Sequence, residues 1–260
     1  HDIRGTAYIA KEAPEDALML PSFEEVSRSK RAYAEATRIE YAEHDPVRGR
    51  RMAQAHGDRY LVVNPPAMPL SREELDRVAE LSYTREVHPM YDSMGGVPAI
   101  EEVRFSVIHN RGCFGGCNFC ALAFHQGRMV TSRSHESVIE EAKKITEMPN
   151  FKGYIHDVGG PTANFRYGPC KAVREGKKGV CKERRCLAPQ PCKNLICDQS
   201  EYVELLETVA AVPKIKKVFV RSGVRFDYAV YDKDETFIDI LAKKHVSGQL
   251  KTAPEHISNN

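Results

Sequence analysis

The fold of this chain is organised around one stretch, Asn110-Arg-Gly-Cys113-Phe-Gly-Gly-Cys117-Asn-Phe-Cys120-Ala-Leu122. Three thiols fall within eight residues of it, with the spacing Cys-x3-Cys-x2-Cys. The glycines at positions 112, 115 and 116 allow the backbone to adopt positive φ angles. Thiolates this close together, on so permissive a backbone, can wrap one face of a compact metal centre. The stretch therefore predicts a metal-binding loop.

The number of cysteines in this loop decides between kinds of metal. Structural zinc takes four protein ligands, and the nearby His109 and His125 give no standard zinc-finger spacing. A four-iron cluster held by three cysteines instead keeps an open coordination position on its fourth iron. Cysteine is also a common small buried side chain, but three of them flanked by glycines favour metal ligation. The loop therefore predicts an iron–sulfur cluster with an open iron, where a reaction can take place.

The sequence on either side of the loop is typical of a known family. The segments Arg104-Phe-Ser-Val, Arg111-Gly-Cys-Phe-Gly-Gly-Cys117 and Gly127-Arg-Met-Val-Thr-Ser-Arg-Ser134 resemble the radical S-adenosylmethionine (radical SAM) superfamily. In particular, they resemble its YgiQ-like (UPF0313) branch, whose function is uncharacterised. Phe119 resembles the aromatic residue that usually precedes the last cluster cysteine. The likeness extends over almost the whole chain.

This resemblance implies a specific chemistry. In radical SAM enzymes a [4Fe-4S] cluster, here on Cys113, Cys117 and Cys120, binds the amino and carboxylate groups of S-adenosylmethionine at its open iron. An electron from a donor of the flavodoxin or ferredoxin type then cleaves the cofactor. The products are methionine and a 5′-deoxyadenosyl radical, which abstracts hydrogen from the substrate. The protein must seat the cofactor and keep water away from the radical.

The resemblance also assigns the contacts to S-adenosylmethionine. Gly159 and Gly160 resemble the glycine motif whose backbone receives the methionine amino group, where close approach requires glycine. Pro161 and Thr162 stand where many members have glutamate, so the side-chain contact at that position differs from the family pattern. The remaining expected cofactor contacts are Phe119, Ser222, Arg225 and Glu255. A Ser-Gly-x-Arg sequence such as the one from Ser222 is equally typical of a simple turn.

Composition limits the class of protein. With 260 residues and 42% apolar content, the chain can bury a core of one large or two small domains. No apolar run approaches the roughly 18 residues of a membrane span, and no secretory signal is recognisable. The net charge of +2 implies no nucleic-acid partner by itself. Eight clustered cysteines in a chain of this kind favour metal binding in a reducing cytosol over disulfides, so we expect a cytoplasmic protein.

Residues 1–98 are predicted to be the end of an N-terminal region and a linker. A capping box at Ser22 predicts a helix that continues to about His44, followed by Asp45-Pro46 as its stop. A short strand is predicted over 59–64, a second helix over 71–81, and a linker over 83–98. Because the chain opens at His1 without a start signal, we expect a piece of a larger protein.

Residues 99–260 alternate strands with long helical segments, the pattern of β/α units that build a parallel sheet. Strands are predicted over 103–109, 153–158, 217–221 and 249–252, and helices over 134–148, 200–211 and 234–245. Chemistry in such folds lies at the carboxyl ends of the strands. The predicted fold is therefore α/β: a partial (β/α) barrel of the TIM type, truncated because four strands cannot close it, with an N-terminal helical and linker extension.

A Cys-rich basic insertion is predicted over 165–199. It contains five further cysteines, Cys170, Cys181, Cys186, Cys192 and Cys197, and several prolines that favour an irregular loop. A second metal site, either an auxiliary iron–sulfur cluster or zinc, would order such a segment, although disulfides or unliganded thiols remain alternatives. From Lys171 to Arg185 the segment carries seven basic and two acidic side chains. This is either a solvated basic loop or a contact for an anionic substrate, including RNA.

Two classes of function remain open from the residues alone. The first is a radical SAM enzyme that acts on an unknown substrate. The second is a non-catalytic, metal-stabilised module that binds nucleic acid through the basic Cys-rich insertion. An open iron at the first loop favours catalysis, whereas a complete set of four ligands there would favour a structural role. The sequence names neither the substrate, nor a catalytic residue, nor the oligomeric state.

Overall fold

The structure, a computed structural model, describes residues 2–117, 119–234 and 236–250. The strands are β1 (Ala7–Ala10), β2 (Leu18–Met19), β3 (Met52–His56), β4 (Arg59–Val63), β5 (Ser106–Ile108), β6 (Asn110–Arg111), β7 (Thr131–Ser132), β8 (Tyr154–Ile155), β9 (Asp157–Gly159) and β10 (Lys217–Val218). The helices are α1 (Phe23–Arg28), α2 (Lys30–Glu43), α3 (Arg72–Ala79), α4 (Ile100–Val103), α5 (Leu122–Gln126), α6 (His135–Thr146), α7 (Lys171–Arg174), α8 (Ser200–Ala210), α9 (Phe226–Ala229) and α10 (Thr236–Ile240). A 3₁₀ helix spans Pro89–Met94, and a π-helix spans Leu241–His245.

The N-terminal part is built on a four-stranded sheet with the order β1-β4-β3-β2. β4 pairs antiparallel with both β1 and β3, and β2 joins β3 in parallel. Gly57, at φ +58°, makes the tight turn between β3 and β4, a conformation that costs glycine little. Only β4 was predicted from the sequence, so the sheet corrects the expectation of a helical and linker region.

The helix predicted from Ser22 to His44 is interrupted. Its capping box is confirmed, because the Ser22 hydroxyl accepts from the Glu25 N–H while the Glu25 carboxylate accepts from the Ser22 N–H. Ser29 then adopts an extended conformation and caps α2 through its hydroxyl. The result is two helices, α1 and α2, separated at Ser29.

The C-terminal part contains a short parallel ladder. β5 pairs with β9, and β8 pairs with β10, both in parallel. The backbone continues this ladder between the strands, since the His156 N–H donates to the Phe105 carbonyl (2.8 Å) and the Phe219 N–H donates to the Ile155 carbonyl (3.0 Å). Three parallel segments thus lie side by side in chain order. Helices α6 and α8 bury their apolar faces against them, including Val138, Ile145 and Leu205.

Two strand predictions need correction. Residue Val103 belongs to α4, so the first parallel strand begins at Ser106 rather than at Val103. For the predicted strand over 249–252, Gln249 and Leu250 are not in a strand, and the rest lies outside the described residues. The described ranges form a mixed α/β structure of small sheets without a closed barrel, and the truncated TIM-type barrel stays a prediction.

Within the described ranges, no helix is both long and apolar enough to cross a membrane.

Candidate metal and cofactor site

The predicted site residues gather at the carboxyl ends of the parallel segments. The 113–120 loop follows β5 and β6, Gly159 ends β9, and Ser222 and Arg225 follow β10. Because these strands run in the same direction, their carboxyl ends meet at one edge. The structure therefore brings the first cysteine loop, the glycine pair and the Ser222 to Arg225 turn to the same place.

Cys113 contacts two neighbouring segments of the chain, one at Gly127 and one at Thr162. Its backbone N–H donates to the Gly127 carbonyl (3.0 Å), and its Sγ lies 3.2 Å from the Thr162 hydroxyl. The Gly115 N–H points at the same sulfur at 3.4 Å. Burial raises the pKa of the Cys113 thiol. Thr162, predicted as a cofactor contact, is therefore buried against the first cysteine, whereas Pro161 beside it is half-buried.

Cys117 has a cationic partner. The Arg225 Nη1 donates to the Cys117 Sγ at 2.8 Å. The guanidinium is held in place by Asp227, which accepts two hydrogen bonds of 2.6 and 2.8 Å, and the Arg225 backbone N–H donates to the Asn164 side chain. The structure thus places the Arg225 side chain against the predicted metal-binding loop, whereas the sequence predicted a cofactor contact for this residue.

The third cysteine of the loop, Cys120, does not form a ready metal site with the other two. The Cys120 N–H donates to the Cys117 carbonyl at 3.3 Å, and Phe119 beside it is 74% exposed. Among the described residues, no three His, Cys, Asp or Glu side chains are arranged so that they could hold a metal ion. The chemistry of the donor set nevertheless fits an iron–sulfur cluster, because three thiols share one loop and one of them faces a guanidinium. Metal binding would have to draw this loop together.

The glycine pair is required by close packing. A Cβ at Gly160 would lie 1.7 Å from the Asn110 Oδ1, and one at Gly159 would lie 2.2 Å from the Ser222 hydroxyl oxygen. The Asn110 Oδ1 is buried and, within the described part of the chain, has no hydrogen-bond partner. The Ser222 hydroxyl donates to the Asp157 carboxylate, so its polar contact is internal. Glu255, the last predicted contact, lies outside the described residues.

One buried side chain that holds this strand edge in place, His109, was not predicted from the sequence. His109 is fully buried, and its Nε2 donates to the Ala163 carbonyl (2.8 Å) while its Nδ1 accepts from Arg166 (3.2 Å). Arg166 is in turn paired with Glu201 at 2.9 Å. Burial lowers the pKa of His109 to about 3. Both ring nitrogens are therefore used in the fold, which excludes His109 as a metal ligand. Its partners Arg166 and Glu201 lie 57 and 92 positions further along the chain, so no local sequence pattern indicated this network.

The Cys-rich segment, residues 165–199, packs directly against the 113–120 loop. Phe114 stacks on Phe165 with ring centroids 3.8 Å apart, and Tyr228 meets both rings edge-on. Cys113, Cys186 and Cys197 are packed against this small core, which also includes Leu187. One apolar cluster thus joins the two thiol-containing parts of the molecule.

The N-terminal part fastens the Cys-rich segment from the other side. The Asp45 Oδ2 accepts from the Val180 N–H at 2.7 Å, and Arg48 donates to the Val180 carbonyl. Glu43 accepts from Lys182 at 2.8 Å and from the Arg50 side chain at 2.8 Å. Gly179 fits because a Cβ there would lie 2.1 Å from the Asp45 Oδ1. These contacts are long-range and could not be predicted from the local sequence.

A large cavity opens beside the first loop. Its volume is about 890 Å³, and it lies between α2 and residues 182–185, with Cys117 in its wall. Its charged lining includes Arg38, Arg50, Lys182 and Arg185 as well as Glu35, Glu43 and Glu183. The Tyr41 hydroxyl faces the first loop, since it would lie 3.1 Å from a Cβ at Gly116. This oxygen is buried and has no hydrogen-bond partner among the described residues. The cavity connects solvent to the predicted metal loop.

Comparisons with known proteins fit this arrangement. Residues 1–106 match the family described as radical SAM N-terminal. A UPF0313 protein from Clostridium botulinum strain Okra is 55% identical over 260 residues, covering 99% of this chain and 40% of the relative. A UPF0313 protein from Clostridium perfringens strain ATCC 13124 is 56% identical over 261 residues, covering 99% of this chain and 39% of the relative. The chain spans about two fifths of the length of these curated relatives.

These matches indicate that the class of protein the chain resembles is the radical SAM proteins. The chain is similar along almost its whole length to the UPF0313 proteins, and its first 106 residues are similar to the radical SAM N-terminal family, so the predicted resemblance to the YgiQ-like (UPF0313) branch is confirmed.

Proposed function

We propose that this protein is a radical SAM enzyme whose first cysteine loop holds a [4Fe-4S] cluster through Cys113, Cys117 and Cys120. The observation that carries the proposal is the hydrogen bond from Arg225 to the Cys117 Sγ, at the edge where the loop meets the glycine pair. When bound, the cluster and S-adenosylmethionine supply reductive cleavage to a 5′-deoxyadenosyl radical. The electron would come from a partner of the flavodoxin or ferredoxin type.

The chain's own residues prepare this edge in three ways. Arg225, fixed by Asp227, places a positive charge beside the thiolates and offsets part of their mutual repulsion. Gly159 and Gly160 keep the backbone free of side chains where the cofactor's methionine end is proposed to bind. The stacked Phe114 and Phe165 exclude water from the inner side of the loop, since both are fully buried.

The cavity of about 890 Å³ is the proposed substrate entrance, since Cys117 lies in its wall. Its size is within the range of small-molecule sites. Arg185 brings part of the basic segment to this cavity, which supports an anionic substrate, RNA included. Several basic side chains of the segment are already paired, because Lys171 and Lys177 contact Glu175 and Lys182 contacts Glu43. This internal pairing weighs against the alternative of a purely nucleic-acid-binding module.

The test is anaerobic reconstitution of the intact protein with iron and sulfide, followed by electron paramagnetic resonance of the reduced sample. We expect a cluster signal that changes when S-adenosylmethionine is added, together with formation of 5′-deoxyadenosine. Cys117→Ala should abolish both results, while Cys197→Ala, whose sulfur hydrogen-bonds to the Tyr228 carbonyl, should keep both. A signal indifferent to S-adenosylmethionine, or undiminished product from Cys117→Ala, would refute the proposal.

A further inference from the structure

We propose that Cys170, Cys181, Cys186 and Cys192 hold an iron–sulfur cluster of their own, and that Cys197 is not part of it. This second centre does not depend on the function proposed for the first loop. It has a full set of four protein ligands and therefore no open iron for a cofactor. The sequence indicated five candidate thiols without separating them, and the structure separates them.

The four cysteines surround one small cavity. Its volume is about 90 Å³, and its lining includes Cys170, Cys181, Cys186 and Cys192 but not Cys197. The segment folds back on itself to form this ring, because the Ile196 N–H donates to the Pro169 carbonyl (2.8 Å) and the Cys192 N–H donates to the Cys186 carbonyl (2.9 Å). Thiols from four places along 23 residues of chain are thus directed to one space.

Cys197 lies outside this ring. Its Sγ donates to the Tyr228 carbonyl at 2.9 Å and accepts from the Gln199 side chain at 3.8 Å. Gln199 directly precedes α8 and Tyr228 lies in α9, so both partners lie outside the stretch from Cys170 to Cys192. Cys197 therefore has a structural position of its own, and it provides a matched control for the other four.

The geometry favours a cluster over a single ion. Zinc needs every sulfur at about 2.3 Å from one point, and no three of the described thiols converge in that way. A cavity of about 90 Å³ also exceeds the space of one water molecule, roughly 10–15 Å³ of accessible volume. A four-iron cube holds its four thiolates farther apart, around its corners. Four thiols placed around a cavity fit that arrangement better than they fit one ion.

The surroundings supply charge to balance four thiolates. The Arg184 Nη1 donates to the Cys192 Sγ at 3.8 Å, and Lys178 and Arg185 also line the cavity. Within the described part, the only helix of the segment is the four-residue α7, so a cluster would add internal order to a segment otherwise held largely by contacts with the rest of the chain. The basic character of this segment is thereby explained in part as compensation for a cluster with net negative charge.

The experiment uses the intact protein carrying Cys113→Ala, Cys117→Ala and Cys120→Ala together, so that the first loop cannot bind metal. After anaerobic reconstitution, iron and acid-labile sulfide are measured per chain, and circular dichroism checks the fold. We expect about four irons and four sulfides per chain to remain, with a reduced signal that is insensitive to S-adenosylmethionine. Adding Cys186→Ala should remove most of this iron, whereas adding Cys197→Ala should leave it in place.

Three outcomes would overturn the proposal. They are less than about one iron per chain in the first-loop variant, stoichiometric zinc in place of iron, and equal iron loss from the Cys186→Ala and Cys197→Ala additions. The first measurement leaves all five cysteines of the segment intact, so misfolding of a Cys186 variant cannot obscure it. Because no turnover is measured, failure of this proposal is distinguishable from failure of the proposed enzymatic function.

Discussion

The 113–120 loop presents three thiols to the ends of parallel strands, whereas the Cys-rich segment gathers four thiols around a cavity inside itself. The first loop is anchored by groups from far along the chain, such as Arg225 on Cys117. The second is closed by its own backbone hydrogen bonds and fastened from outside by Asp45. The 113–120 loop has three of the four ligands that a cluster can take, and this suits a reactive centre. The Cys-rich segment has all four, and this suits a structural or electron-carrying centre.

The largest expected effect comes from Gly160→Ala at the first site. The new Cβ would lie 1.7 Å from the Asn110 Oδ1, so buried groups must move, and overpacking of this kind costs roughly 1–3 kcal/mol or more. We expect a drop in the thermal unfolding midpoint of several degrees. Gly223→Ala is the matched control, because nothing lies within 4 Å of its Cβ position. Equal midpoints for the two variants would show that the glycine is not required by packing.

Arg225→Ala should weaken the first site while sparing the second. It removes a hydrogen bond to a charged sulfur, worth about 1.5–3 kcal/mol. We expect a chelator to remove iron at least about tenfold faster from the cluster that responds to S-adenosylmethionine. The control is Arg221→Ala, whose guanidinium pairs with exposed Glu102 at 3.0 Å. If both variants lose iron at the wild-type rate, Arg225 does not stabilise the first centre.

Asp45→Asn should loosen the second region selectively. The Asp45 Oδ2 accepts from the Val180 N–H at 2.7 Å, and its Oδ1 accepts from the Val47 and Arg48 N–H groups. Asparagine has a single acceptor oxygen and cannot keep both sets of bonds. The expected loss of stability is about 1–3 kcal/mol, seen as faster hydrogen exchange over residues 178–182. Asp58→Asn, at an exposed position in the β3–β4 turn, is the control. Unchanged exchange in Asp45→Asn would mean that the N-terminal part does not hold this segment.

The smallest effect is the pH dependence of stability that His109 contributes. Burial lowers the pKa of His109 to about 3 from its usual 6.5, so the folded state keeps the ring neutral while the unfolded state takes up a proton. The stability is therefore fully present above pH 6.5 and is lost as pH falls toward 3. Between pH 6.5 and 5.5 the loss is at most about 1.4 kcal/mol. His109→Gln should flatten this slope in denaturant titrations, and an unchanged slope would contradict the assignment.

Local sequence signals predicted the elements that depend on local chemistry. The capping box predicted at Ser22 is present, and the predicted helices α6 and α8 form and bury apolar faces. The N-terminal sheet was missed because β1 and β2 are short and their residues are exposed or half-buried, which leaves no alternating apolar pattern. The Gly57-Asp58 turn between β3 and β4 is the one local signal for this sheet in the sequence besides β4.

The candidate site was predictable in its residues but not in its contacts. Cysteine spacing identified the 113–120 loop, and the resemblance identified Gly159, Gly160 and Arg225. The sequence could not show that Arg225 contacts Cys117 or that Asp45 contacts Val180, because the partners are 108 and 135 positions apart. Spacing alone also could not separate Cys197 from the other four thiols, since that distinction depends on where each side chain points.

The contacts of Asp45 and Glu43 with the Cys-rich segment have a consequence for how the chain may be divided. The sequence pattern places a domain boundary near residue 99. Dividing the chain there would separate Asp45 from Val180 and Glu43 from Lys182. It would also remove the α2 wall of the cavity that reaches Cys117. The N-terminal residues therefore hold the Cys-rich segment in place and complete the cavity beside the predicted metal-binding loop.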